Sequence, residues 1–521
     1  MTEQKGSLFV RESTGLVKRV SLLDAIALNI SNMSAGAALA TIGFTMYLFP
    51  QFGIPVSGMN LVYGSLIAFL LSIPQIIVYT MMSTRYPKTG GDYVWVSRTF
   101  GGLFGSSLSF MGYTLETLAY LALIALSAVF AIGSVGVLLG NSGLLGLAIP
   151  GQFGGDAAQQ FIVGAAIFAA LIGINIFKPK AGYKLVSALM IIGVIIAVLA
   201  IGVILLAGKQ GVINYAASVA AASHDSTLSY NSIVSSNAAS SFSLSSTLLL
   251  LPFFAIFVYP WLNAGPAVAG EIRGRSSIRW NVPLASLIVM VLVTSAFGVM
   301  YLVAGIPFTN GALSNTSYVI DNFFNFWTLA MGVTSNAAMQ LIIGLGWVAW
   351  NLAILAYGII VFSRYMFSQA FDRFLPSRLA YVSPRFGSPV VAHIVDLVIT
   401  IALIGAASFF YGTLTSLYGA VVASMIYFVF VGLAAAVHGI RKEKGGQRNI
   451  LLIAGLLQAA VFLYLISDFL AYPGIWGGNV LAYGYVAVSF VAGLLIYLVS
   501  RSYHKRKGIN IDLAYKEIPP D

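Results

Sequence analysis

The chain predicts an all-α polytopic membrane protein: twelve transmembrane helices in a five-plus-five inverted repeat, two accessory helices included in the count, and both termini cytoplasmic. Three observations predict it. Of 521 residues, 59% are hydrophobic and 8% charged, far from the roughly 25% charged share of soluble domains. Apolar runs of about 20 residues, enough to cross a hydrocarbon core of about 30 Å as a helix, recur at 23–49, 59–82, 104–138, 160–177, 184–207, 244–269, 283–306, 339–367, 389–409, 414–437, 450–470 and 480–500. With the N-terminus inside, 26 of the 27 Lys and Arg residues fall in tails, inside loops or inside helix ends, and only Lys209 lies outside. Short cytoplasmic loops concentrate positive charge in this way.

The elements follow in order. The tail 1–22 carries Lys5, Arg11, Lys18 and Arg19, and the span after it is too long for a signal-peptide core, so it is read as retained. Spans one to five occupy 23–207 and spans six to ten occupy 244–437. Five is odd, so the two halves have opposite orientations, which is the arithmetic of an inverted repeat. Between them, 208–243 is rich in Ser, Asn and Ala and reads as a flexible extracytoplasmic loop. Accessory spans occupy 450–500, and 501–521 forms the second cytoplasmic tail. The net charge of +11 reports this topology and an attraction to anionic membrane lipid, not to nucleic acid.

An inverted-repeat transporter binds its substrate near the midplane, on discontinuous helices at matching positions in the two halves. Span six, Leu251 to Glu271, is interrupted by Pro260, Gly265 and Pro266, and span one by the polar, small-residue stretch Ser31, Asn32, Met33, Ser34, Ala35, Gly36. Lipid cannot satisfy the backbone groups freed at such breaks. A half-helix N-terminus at Met33 to Gly36 suits a carboxylate, and unwound carbonyls at Phe257 to Trp261 suit an ammonium group. Together they fit the two charged ends of a free α-amino acid. Phe254, Phe257, Tyr259, Pro260 and Trp261 supply the surrounding wall, with Trp350 and Tyr357 one face away on span eight at i, i+7 spacing.

Glu116 lies about twelve residues, some 18 Å, into span three, near the bilayer centre. An ionisable side chain there is costly and marks function by default, so Glu116 is the candidate for proton coupling or for meeting the substrate ammonium. Sodium is disfavoured: Ala337 to Phe362 contains no Ser or Thr to supply hydroxyl ligands. The chain has no cysteine, which excludes disulfides and thiol chemistry. No residue pattern calls for a metal or another cofactor, and the four His residues form no catalytic constellation.

The segment Thr84 to Arg98, with Gly90-Gly91-Asp92 at its centre, closely resembles the signature between the second and third helices of the amino acid-polyamine-organocation permeases. Val268 to Arg273, Ser363 to Pro376 and Gly387 to Ala392 agree with that family in order, and the resemblance spans about residues 15–500. It implies secondary transport of amino acids or related amines across the plasma membrane by alternating access. It also implies a substrate carboxylate at Ser31 to Gly36, an ammonium end at Phe257 to Trp261 and an aromatic gate at Phe257. The first break has a single glycine where the family has several, and Pro260-Trp261 replaces smaller residues, so the substrate is left open. Coupling to protons, exchange without protons, and a transporter-like nutrient receptor are the three readings, the last disfavoured by tails of about twenty residues. Arg85, Arg98 and Arg364 read as anchors at inside span ends, facing lipid phosphate. Oligomeric state is not encoded legibly.

Overall fold

The computed structural model describes residues 9–10, 13–149, 154–237, 241–411 and 421–520. Ser21 opens the first helix with a reciprocal cap, its hydroxyl accepting from the Asp24 N–H while Asp24 accepts from the Ser21 N–H. That helix, α1 (Leu22–Asn32), stops in mid-span, and α2 (Ala35–Met46) resumes after Met33 and Ser34. There follow α3 (Leu61–Arg85), α4 (Asp92–Leu138), α5 (Ala157–Phe177) and α6 (Pro179–Ala222). The second half holds α7 (Leu251–Phe257), α8 (Ala264–Ala267), α9 (Arg275–Ala304), α10 (Ala337–Phe371), α11 (Val390–Phe410) and α12 (Val421–Lys442). Last come α13 (Gly445–Ala471) and α14 (Val480–Lys505).

Among the described residues, eleven helical segments are long and apolar enough to cross a membrane, with α1 and α2 counted together. The sixth expected span is absent from that set because it is split into α7 and α8, as Pro260 and Gly265 foreshadow. The first part of the tenth expected span, 414–420, lies outside the described residues. In their most apolar stretches the α1–α2 segment is 94% and α10 83% buried by protein, against 28% for α6 and α14. The broken first span and α10 therefore form the centre, and α6 and α14 turn most of their surface to lipid.

One expectation is corrected. The segment after residue 208, read as a flexible loop, continues α6 as helix to Ala222 beyond a kink at Gly208, and Tyr230–Ser236 forms a further helix. Val212, Tyr215, Ala216 and Val219 are buried, at the 3–4 spacing of one helix face. Their apolar stripe outweighs the Ser- and Ala-rich composition around them.

One end of the molecule gathers the basic segments. Val20 pairs with Ile272, Thr89 with Val268, and Gly90 donates its N–H to Ala267 at 2.8 Å. The loop before α4 is thereby held against the end of α8. Gly91 makes this fit: its φ is +47°, and a Cβ there would lie 2.8 Å from the Pro266 carbonyl carbon. We expect Gly91→Ala to cost about 1–3 kcal/mol through backbone strain and contact, read as a lower thermal midpoint of the purified protein; an unchanged midpoint would show that the loop is not held this way.

Candidate functional site at two helix breaks

The first break turns on Ser34, whose φ of +45° and ψ of +29° place it in the left-handed region. Ser34 donates its N–H to Ser31 O at 3.1 Å, and its hydroxyl reaches Asn32 O at 3.1 Å and the Tyr120 hydroxyl. The helix then restarts at Ala35 without a side-chain cap, so its first N–H groups point into the break. Gly36 permits close packing here, because a Cβ would fall 2.1 Å from Cγ of Trp350. Its carbonyl accepts from Trp327 Nε1 at 3.0 Å.

At the second break, Val258 and Tyr259 both donate to Phe254 O, at 2.8 and 3.1 Å, and the chain leaves the helix. One carbonyl expected to face a ligand, that of Pro260, is taken by protein donors, as is that of Ile256 just before the expected stretch. Ile256 O accepts from Trp261 Nε1 at 2.7 Å, and Pro260 O accepts from Gln75 Nε2 at 2.9 Å and from Leu262 N at 3.0 Å. Unwound backbone in a membrane is tolerated only when so compensated, and Gln75 and Trp261 supply the compensation.

Asparagines join the breaks. Asn32 Nδ2 donates to Asn263 Oδ1 at 2.8 Å, and Asn32 Oδ1 accepts from the Tyr357 hydroxyl at 2.6 Å. Asn29 accepts from Gly265 N at 2.8 Å and donates to Asn281 at 2.7 Å. Tyr120 touches both sides, with its hydroxyl at Ser34 and its ring stacked on Trp261 at 5.6 Å. Glu116 lies one turn before Tyr120 on α4, directly after a π-helical stretch at Phe110–Leu115, and is 1% exposed. It sits beside Ser424 of α12, and among the described residues its Oε2 and the Ser31 hydroxyl are buried without a hydrogen-bond partner.

The structure sorts the residues singled out from sequence into groups. Ser31, Asn32, Met33, Ser34, Ala35, Gly36, Trp261 and Tyr357 belong to the two joined breaks. Phe254, Tyr259 and Pro260 instead line a crevice toward α3 and α13, with Ser72, Gln75 and Gln458 across it; the Tyr259 hydroxyl pairs with Ser65 at 2.7 Å. Phe257 packs on Phe253 with centroids 5.4 Å apart. Trp350 is fully buried between Gly36 and Gly193 and fills a helix contact. Sequence reading missed Tyr120, Asn263 and Gln75, although all three are polar or amphipathic side chains deep within apolar runs.

The basic end is sealed by a second network. Asp92, fully buried, accepts hydrogen bonds from the hydroxyls of Tyr79 on α3, Tyr365 on α10 and, at 2.9 Å, Tyr427 on α12. Asn263 Nδ2 donates to the Tyr365 hydroxyl at 3.1 Å, so this network is continuous with the breaks. The three arginines expected to face lipid phosphate are corrected. Arg364 is buried against Glu271, Nε to Oε1 at 2.8 Å and Nη2 to Oε2 at 3.1 Å. Arg98 pairs with Asp372, and Arg85 with Glu443 and, at 2.7 Å, Gln447. Each planar guanidinium finds a carboxylate within protein, and for Arg364 and Arg98 the pairing is a two-point one that a snorkelling contact would not give.

The amino acid permease family profile matches residues 20–500 of the chain. The chain belongs to the amino acid permease family. It is also similar to "Uncharacterized protein 399" of Sulfolobus islandicus rod-shaped virus 1, at 20% identity over 395 residues covering 74% of each chain. The permease is thus a multi-pass integral membrane transporter for a small amino acid-type substrate and not an enzyme.

Because the permease has no native cysteine, Ser368→Cys, at a buried position whose hydroxyl contacts Thr89 O, reports opening of the basic end. Adding Tyr427→Phe removes one hydrogen bond to Asp92, worth about 1 kcal/mol, and should raise the maleimide labelling rate of that cysteine about fivefold. An unchanged rate would remove the Asp92 network from the closing machinery.

Proposed function

We propose that the permease moves a free α-amino acid across the plasma membrane by alternating access, coupled to protons through Glu116. The joined breaks carry this reading: α2 presents backbone N–H groups at Ala35 and Gly36, while the Ser31 hydroxyl, a few residues away, is buried and has no hydrogen-bond partner among the described residues. A substrate carboxylate would meet donors there that no described residue fills. The ammonium end falls to the stretch Phe257 to Trp261, narrowed from the original expectation because Pro260 O is occupied. Trp261 and Tyr357 form the wall, with Tyr120 joining them.

In this reading the chain crosses the membrane twelve times, α7 and α8 together making the sixth crossing. Residues 23–207 and 244–437 are the two inverted repeats, 450–500 the accessory pair, and both tails and the basic end face the cytoplasm. The Asp92 and Glu271 networks would be the inner gate, broken and remade as one bundle rocks against the other.

In this reading Glu116 couples a proton to the cycle. Its neighbours on the same helix face are Tyr113, stacked on Tyr365 at 3.8 Å, and Tyr120, which touches both breaks. A proton gained or lost at Glu116 therefore acts on the gate on one side and on the substrate site on the other. Proton coupling is favoured over simple exchange because Glu116 is a carboxyl group buried deep in the span, one oxygen of which has no hydrogen-bond partner among the described residues.

In proteoliposomes, Glu116→Gln should abolish the pH dependence of uptake while substrate binding persists; unaltered pH dependence would take Glu116 out of the mechanism. Trp261→Ala removes the ring stacked on Tyr120 and should weaken substrate binding about tenfold, the cost of a lost aromatic contact of about 1.4 kcal/mol, measured by equilibrium binding. Unchanged affinity would place the substrate elsewhere.

A further inference from the structure

The last turn of α3 and the first turns of α9 and α13 border an open cavity of about 740 Å³ at the basic end. Its walls divide by chemistry. Arg85, Arg275 and Arg279 supply cations, and Met81, Trp280 and Ile450 supply apolar surface. Three spans end or begin here, so the cavity lies where hydrocarbon gives way to head groups, and the half-exposed Trp280 marks that level.

The charges are not equivalent. Arg85 is neutralised by Glu443, whose carboxyl the guanidinium holds below the usual carboxylate range. Arg275 and Arg279 stand one helical turn apart on α9, both exposed, and among the described residues neither has a carboxylate partner. Arg279 lies over the Trp280 ring, 5.7 Å from its centroid, a contact that attracts the guanidinium to the ring beside the cavity. Two unpaired guanidinium forks beside a hydroxyl, Ser276, present a donor set for phosphate oxygens.

We propose that this cavity binds the head group of an anionic phospholipid, with Arg275 and Arg279 on the phosphate and Met81, Trp280 and Ile450 against the first acyl carbons. The shared chemistry is that of a phosphate anion. The apolar half of the cavity selects the lipid, because free phosphate gains nothing from it. A lipid seated there ties α13 to the α3–α9 pair at the end of the molecule where the Asp92 network also closes. The site needs no particular substrate or coupling ion.

The test titrates purified permease in detergent with phosphatidylglycerol, phosphatidylcholine or sodium phosphate and follows the thermal unfolding midpoint. A ligand that binds only the folded state raises it. Phosphatidylglycerol should raise the midpoint and the other two should not. The Arg275→Gln/Arg279→Gln variant should keep the lipid-free midpoint, since both side chains are exposed, and lose about tenfold or more in apparent affinity for phosphatidylglycerol. Arg506→Gln, an exposed charge elsewhere, should bind as the unaltered protein does. Equal protection by phosphatidylcholine, equal protection by phosphate alone, or undiminished binding by the double variant would each overturn the proposal.

Discussion

Backbone groups released inside a membrane must be satisfied by protein, water or ligand, and the hydrogen bond between Asn32 and Asn263 is the centre of this permease's solution. It joins two helices that each stop at mid-span. Around it, Asn29 caps the N–H of Gly265, Gln75 and Trp261 take up carbonyls of the second break, and Ser34 bends the first break back toward Asn32. Most of the buried polar side chains near the centre have this one task. Among the described residues the groups left over are the N–H donors of α2 and the Ser31 hydroxyl, and the proposed carboxylate site rests on them.

The same constraint links the site to its closure. Asn263 bonds to Tyr365, Tyr365 to Asp92, and Asp92 gathers hydroxyls from α3 and α12. A buried carboxylate is costly unless fully hydrogen-bonded, so three helices, α3, α10 and α12, are drawn to one residue at the start of α4. Arg364 with Glu271 repeats the principle nearby, at the end of α10. The basic end is thus held together by a few contacts to the buried carboxylates of Asp92 and Glu271.

Much of the fold was legible because hydropathy and charge alternation are strong, repeated signals. The break in span six was announced by Pro260 and Gly265, and that in span one by Ser31 to Gly36. What the sequence hid was partnership. Arg364 and Arg98 sit at span ends where snorkelling to lipid is the default, and only the folded chain brings Glu271 and Asp372 to them. Tyr259 and Trp261 are two residues apart yet face α3 and α4 respectively, because the unwound stretch has no fixed period. The helix beyond Gly208 was readable from Val212, Tyr215, Ala216 and Val219, but composition masked it.

The two-ended site at the joined breaks is tested most directly by which ends of the substrate are required. The amino acid that most stabilises the purified permease would be compared, by equilibrium binding, with its methyl ester and its N-acetyl derivative. If α2 holds the carboxylate and the unwound stretch before Pro260 holds the ammonium group, each derivative should bind at least about tenfold more weakly, the loss of one charge-assisted hydrogen bond of about 1.5 kcal/mol or more. Undiminished binding of both derivatives would contradict the account.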